Sequence, residues 1–308
     1  MELIIPILAA AIRAGTPIFY ATLGEIFAER SGVLNLGLEG IMLVGALTGF
    51  MVARLTGDPW LGVTAGLLAG GILSLIHAIL SISLRAEQIV SGLALAIFGV
   101  GLSGFLGRGM VGKTVSGLPP LPLPILSDIP FLGPIFFRHD ILVYISFLLA
   151  PLAWLILYKT KPGLDIRSVG ESPETADALG VSIPLVRYLS VFVGGLMAGV
   201  GGAYLSLVYT PLWTENMTAG RGWIAIALVI FAGWHPLKAV IGSYLFGGVN
   251  ALQLRIQAVG TSIPAHLLMM TPYIFTLLVL VIATREKVRR RMGAPAALGI
   301  PFVRGEKG

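Results

Sequence analysis

The chain has 308 residues, 56% of them apolar and 12% charged, with a formal net charge of +6 and a mean hydropathy of +0.90. A soluble domain carries about 25% charged residues, so a protein bathed in water on all sides is excluded. No cysteine is present, which excludes disulfides, thiolate nucleophiles and cysteine-ligated metals.

The positive charge is not spread as a nucleic-acid surface. Eleven of the 21 Lys and Arg residues fall in Lys159–Arg187 and Arg285–Lys307. In a membrane protein such clusters mark the cytoplasmic side and meet anionic headgroups. A spanning helix needs about 20 mostly apolar residues. Trp60–Leu84, Gln88–Gly107, Ile141–Tyr158, Tyr188–Thr214 and Ile256–Thr284 contain no charged side chain. The start, Met1-Glu2-Leu3-Ile4-Ile5, lacks the basic stretch of a cleavable signal peptide and reads as the beginning of a membrane helix.

In chain order, helices are expected at 3–28, 41–55, 60–84, 89–107, 140–158, 188–209, 222–235, 238–258 and 264–283. A break is expected in the first at Gly15-Thr16-Pro17, because proline removes a backbone donor. The fold class is an all-α integral membrane bundle of about 8–10 crossings. If all nine segments cross, the two basic clusters share a side and the N-terminus lies outside; a re-entrant segment near 222–235 would change that count. Loop 108–139 holds Pro119, Pro120, Pro122, Pro124, Pro130 and Pro134 and is expected to be an extended, helix-free cover. A weak duplication at an offset of 177 aligns Pro59–Ile79 with Pro236–Ile256, matching Gly70 to Gly247 and Gly71 to Gly248.

Two nucleotide motifs are decoys. Gly107-Arg-Gly-Met-Val-Gly-Lys113-Thr114 fits the P-loop pattern, but that loop needs a strand before it and a helix after it. Here a membrane helix precedes and Val-Ser-Gly-Leu-Pro-Pro follows. Gly99-Val-Gly-Leu-Ser-Gly104 lies inside an apolar stretch, where helix packing explains it. His77 and His266 stand singly on apolar helices, where a hydrogen-bonded packing role is expected. No His/Glu metal pair or Ser/His pairing stands at a workable spacing, so no catalytic or metal residue is assigned.

Two segments carry the functional signal. In Glu29-Arg-Ser-Gly-Val-Leu-Asn35-Leu-Gly-Leu-Glu39-Gly40, polar residues and glycines interrupt an apolar stretch. Irregular backbone at membrane depth is tolerated only inside protein or along a water-filled cavity. An ionisable group there is a functional candidate, although Asn35 and Glu39 can equally serve a turn by satisfying backbone donors. Asn35, Glu39, Trp213 and Asn250 are the candidate path residues. Trp213, Trp223 and Trp234 also suit an interfacial aromatic belt.

The second segment, Gly163 to Gly180, encodes a short helix over 173–179. Ser172 is expected as its N-cap, Pro173 at its first position and Gly180 as a left-handed stop. Arg167, Gly170, Glu171, Ser172, Pro173, Glu174, Ala176, Leu179 and Gly180 are the candidate docking residues, with Ala176 and Leu179 on one apolar face. The bland alternative is a connector between two membrane helices.

Thr16-Pro17 and Gly32-Val-Leu-Asn-Leu-Gly-Leu-Glu-Gly40 through Gly45-Ala46 resemble permeases of ATP-binding-cassette importers in the branched-chain amino acid and simple-sugar group. Arg167–Gly180 resembles their cytoplasmic coupling segment, Ala198–Ala203 the small-residue helix after it, and Gly220–Trp234 their late glycine/tryptophan segment. The Asn-Leu-Gly-Leu-Glu-Gly form is most similar to nucleoside-type importers; sugar and branched-chain amino acid permeases are the alternatives. The resemblance implies a permease domain over 1–284 with a coupling loop at 159–187 and a basic cytoplasmic tail at 285–308, in the plasma membrane. It implies a second permease subunit, in a heterodimer, two ATPase domains and an extracytoplasmic binding lipoprotein. It implies no cofactor on this chain, with ATP used by the partner subunits. An ion-coupled secondary transporter is the competing class; it needs partnered carboxylates deep in helices, and Glu25, Glu39 and Glu87 all lie near expected helix ends.

Overall fold

The computed structural model describes residues 4–260, 264–283 and 293–303. Every apolar segment expected from the sequence is helical, in the order α1 Ile4–Arg30, α2 Leu38–Thr56, α3 Pro59–Ala78, α4 Gln88–Gly107, α5 Leu132–Phe136, α6 Ile141–Lys159, α7 Lys161–Glu171, α8 Pro173–Ala178, α9 Ile183–Tyr204, α10 Arg221–Ala232, α11 Pro236–Ala258 and α12 Ala265–Ala283. α3 and α9 each end in one π-helical turn, Ile79–Ser83 and Leu205–Tyr209. Among the described residues, six helices are long and apolar enough to cross a bilayer: α1, α2, α3, α4, α6 and α9. α10 is a shorter apolar helix, and α12 contributes the apolar stretch His266–Leu278.

Local chemistry sets the ends. Asp58 caps α3 by accepting from the Trp60 N–H at 2.8 Å, with Pro59 in the first turn. Glu87 caps α4 through the Ile89 and Val90 N–H groups, and Asp140 caps α6 through that of Val143. Gly57 closes α2 in the left-handed region, φ 75°, which glycine enters without steric cost.

The expected break at Pro17 does not occur: α1 runs unbroken through it. Residues 11–29 are almost all buried, so neighbouring helices hold the segment helical although one backbone bond is missing. In the loop 108–139, a 3-10 turn at Arg108–Met110 leads into an extended cover over 113–123. The N–H groups of Gly112, Val115 and Leu118 donate to the carbonyls of Trp213, Pro211 and Leu207. Against expectation it also holds a helix, α5, with Pro134 in the first turn, where no backbone donor is needed. α7 is likewise a helix that was expected as loop.

α9 is the hub, and glycines set how closely its neighbours approach. A Cβ on Gly45 of α2 or on Gly70 of α3 would lie 2.7 Å from the Gly199 Cα of α9. The matched glycine of the duplication, Gly247, makes the same kind of approach to Ala11 and Gly15 of α1. Small residues at crossings are how membrane helices gain packing without a hydrophobic drive. Around this centre, α4 and α6 turn Ile97, Phe98, Leu148, Leu152 and Leu155 outward, a surface suited to lipid.

Gly199→Leu is therefore expected to cost about 1–3 kcal/mol or more through overpacking. Gly101→Leu, on the open face of α4 with nothing within 4 Å of its Cβ position, is expected to leave stability near wild type. Midpoints of thermal unfolding in detergent compare the two.

Candidate functional site

The centre of the site is a helix that starts halfway through the bundle. α10 has 12 residues, about 18 Å at 1.5 Å per residue, too short to cross alone. Its first turn meets Glu39, and the next residue, Gly40, packs on Gly99 near the middle of α4. The chain reaches that depth from the outer loop as an irregular stretch, 210–220, and the turns at Asn216, Ala219 and Gly220 have positive φ. Gly220 stands at φ 77° directly before the helix, a conformation open to glycine.

The exposed N-terminal donors of α10 would be costly at this depth. Glu39 meets them. Its Oε1 accepts from Thr218 Oγ1 at 2.6 Å and from Gly220 N–H at 2.8 Å; its Oε2 accepts from Gly222 N–H at 2.7 Å. The positive end of the helix dipole and three hydrogen bonds hold the carboxylate. A Cβ at Gly222 would collide with the Glu39 backbone, so glycine is required for this approach.

The other end of α10 meets opposite charge. Arg30 donates to the carbonyls of Trp234 and Gly233 at 3.2 and 3.4 Å and to Tyr158 Oη at 3.0 Å. The Trp234 indole N–H donates to Glu29 Oε2. Burial, then Lys238 and Arg30, hold His235 below its ordinary range, and the neutral ring stacks on Tyr158 with centroids 5.3 Å apart.

Asn35 is buried. Its Oδ1 accepts from Gly37 N–H at 2.9 Å, and its own backbone N–H donates to Glu25 Oε1 at 2.8 Å. Gln88 Oε1 accepts from Leu34 N–H, and the Leu34 carbonyl meets His77 Nε2, whose Nδ1 pairs with Ser91. The bend 31–37 is thus irregular backbone satisfied by side chains from α1, α3 and α4. His77 has the packing role expected of it. Gln88 and Arg30 were missed as braces, because their backbone partners lie 54 and 204 residues away, and Glu25 because its partner is a backbone N–H across the bend.

Trp213 is fully buried against Ala46, Leu47 and Phe50, with Gly107 under its ring. It pins the outer cover and offers no face to a solute. Asn250 differs: it is half-buried and lines a cavity of about 300 Å³ with Tyr209, Arg221, Phe246, Gln253 and Tyr273. Arg221 is the first residue of α10, so this cavity opens beside the Glu39 junction.

At the basic end, α8 spans Pro173–Ala178, and Gly180 takes the expected left-handed conformation at φ 82°. Three of the candidate docking residues sit differently from expectation. Ser172 makes no side-chain cap; its hydroxyl pairs with that of Thr175 at 2.7 Å. Ala176 is buried against Val169 and Ile183, because the last turn folds back onto α9. Arg167 turns inward, donating to the Leu157 carbonyl at 2.9 Å and stacking on Tyr158. Gly170 is buried and Pro173 anchors α8, which leaves Glu171, Glu174 and Leu179 exposed; Leu179 is 78% exposed.

Residues 293–303 return to this end. Ala297 N–H donates to the Gly170 carbonyl, Gly299 N–H to that of Gly32, and Arg187 bridges the Ser31 and Ile300 carbonyls. Among the described residues no three His, Asp or Glu side chains come together as a metal site.

Glu39→Gln places an amide N–H₂ against an N–H donor and should cost about 1.5–3 kcal/mol, the worth of a hydrogen bond to a charged group. Thr218→Val removes only the hydroxyl and should cost less. Thermal unfolding in detergent reads both; equal midpoints for Glu39→Gln and wild type would contradict the cap.

The family described as branched-chain amino acid transport system / permease component matches residues 7–284. The Haloferax volcanii permease TsgC13, whose name gives glucose provisionally as its cargo, is 42% identical over 314 residues, covering 95% of each chain. The guanosine ABC transporter permease NupQ of Bacillus subtilis is 36% identical, covering 100% of this chain and 98% of its own. The nucleoside ABC transporter permease NupC of Lactococcus lactis is 34% identical, covering 97% of each. The chain therefore belongs to this permease family and is the multi-pass membrane subunit of an ATP-binding-cassette importer.

Proposed function

We propose that this permease forms one side of a nucleoside path, with the cavity at Asn250 as its solute-contacting part. The observation that carries the reading is a polar, aromatic recess at the start of a half-helix. Tyr209 and Tyr273 supply ring faces, Asn250 and Gln253 supply amides, and Arg221 supplies donors. Purine and pyrimidine bases stack on such rings, and amides pair with base edges and ribose hydroxyls. Glu39 and Asn35 act here as braces that position α10 beside the solute.

The remaining partners follow from the same reading. A second permease subunit faces this one across the recess, an extracytoplasmic binding lipoprotein delivers the solute, and two ATPase domains dock at the basic end, where ATP is bound and hydrolysed. Residues 165–180 are the coupling contact. Glu171, Glu174 and Leu179 form its outward face, with Gly180 turning the chain beside them; Gly170, Pro173 and Ala176 shape it from within; Arg167 and Ser172 hold the two short helices against α6 and against each other.

Two experiments test this. In proteoliposomes holding the assembled transporter, labelled guanosine uptake should be competed by unlabelled nucleosides and not by glucose, and Asn250→Ala should weaken uptake about tenfold, the worth of one solute hydrogen bond. Competition by glucose alone would replace the nucleoside reading with the sugar reading. For coupling, Leu179→Asp should leave the permease at its normal membrane level and lose ATPase co-purification. Ala176→Asp, which buries an unpaired carboxylate, should instead lower the level of the permease itself. Normal ATPase recovery with Leu179→Asp would reduce the segment to a connector.

A further inference from the structure

Beside the solute recess lies a second cavity of about 320 Å³, lined by Ala10, Arg13, Tyr209, Ala251, Leu254, Arg255 and Ala258. The two cavities share Tyr209 and Leu254, so they meet side by side. Arg13 is exposed on α1 and Arg255 is exposed on α11. Arg221 lines the neighbouring recess. Among the described residues, no Asp or Glu lines either cavity.

A guanidinium exposed on a spanning helix does not face hydrocarbon without large cost; such groups face water or a partner charge. Arg13 acts on His139 and Tyr204, both of which neighbour Asp140. His139 is held below its ordinary range first by burial, with the Arg13 charge acting in the same direction. Asp140 is committed to the Val143 N–H and the Tyr204 hydroxyl. Arg13 and Arg255, both exposed, line one cavity next to a recess suited to a base and a sugar.

We propose that Arg13 and Arg255 form an anion subsite that holds the phosphate of a nucleoside monophosphate whose base and ribose occupy the recess. Arginine pairs with phosphate bidentately. A cleft lined by one sign of charge concentrates ions of the opposite sign and repels its own. The subsite thereby makes the path mouth anion-selective and lets the phosphorylated solute compete with the free nucleoside. This inference rests on the recess being the solute path.

The chain has no native cysteine, so Leu254→Cys places a single thiol where the two cavities meet. In the assembled transporter, its modification by an anionic methanethiosulfonate (ethylsulfonate) and a cationic one (ethyltrimethylammonium) is followed by the mass of this chain. The anionic reagent should react about tenfold faster, within the range by which charged clefts raise on-rates. That ratio should fall to near unity with Arg13→Gln and Arg255→Gln together, and persist with Lys at both positions. Guanosine monophosphate should slow the reaction more than guanosine or inorganic phosphate does. A ratio of unity in the Leu254→Cys protein, a thiol inert to both reagents, or equal protection by guanosine and its monophosphate would overturn the subsite. The reagent ratio does not depend on which solute is transported, so loss of the nucleoside reading in the uptake assay leaves the charge of the subsite separately decided.

Discussion

A helix that begins inside a membrane protein has to hide the donors of its first turn, and the arrangement here is organised around doing so for α10. Glu39 meets those donors through Gly220 and Gly222, and Arg30 meets the acceptors at the far end through Gly233 and Trp234. Anion at the N-terminus and cation at the C-terminus is the favourable alignment with the helix dipole. Neither charge is on α10 itself. They come from the start of α2 and the end of α1, so the half-helix is fixed by the two elements that flank the bend 31–37. That bend is satisfied in turn by Glu25, His77 and Gln88. Moving α10 therefore means moving the bend, and moving the bend strains α1, α3 and α4 together.

The same bend is in contact with the basic end of the molecule. Gly32 accepts from Gly299, Ser31 accepts from Arg187, and Gly170 packs directly on the Arg30 carbonyl while accepting from Ala297. From the exposed residues of α8 to the carboxylate under α10 the chain of contacts is unbroken: α8, α7, the bend, Glu39. Its links are backbone hydrogen bonds and glycine contacts without slack. On the proposed function, a push on Leu179 reaches the solute recess through rigid packing, with no flexible linker in between. Contiguity of this kind is a physical route for coupling, and its strength is set by how the two ends share one bend.

Most of the helical layout was legible because apolar run length is a direct consequence of bilayer thickness. The nine apolar segments and the Pro-rich outer cover were located that way. The break at Pro17 was misread because local propensity was weighed without the packing that keeps α1 helical through it. α7 was missed because Lys161–Glu171 is polar and amphipathic, with no apolar run to announce it. At the site, Glu39 and Asn35 stood out as polar residues in an apolar stretch, and sequence alone left open whether they touch solute or backbone. The hydrogen-bond partners of Glu39 lie about 180 residues away, a distance no local pattern encodes, whereas those of Asn35 lie within ten residues of it. Trp213 was singled out by residue type, and a buried indole looks the same in sequence as an exposed one. Ala176 and Leu179, three apart on one helical face, separate because α8 ends between them and the chain turns back onto α9.

The distribution of charge then distinguishes the faces of the bundle. α4 and α6 present Ile, Leu and Phe and no ionised side chain along their spanning lengths up to Lys159, which is what hydrocarbon tolerates. The face made by α1, α10 and α11 presents Arg13, Arg221 and Arg255 beside Asn250. One subunit cannot enclose that second face by itself, since both cavities are open to the surface where α11 ends. On the proposed function, a second permease placed there would close the cavities into a path and cover the arginines in the same step.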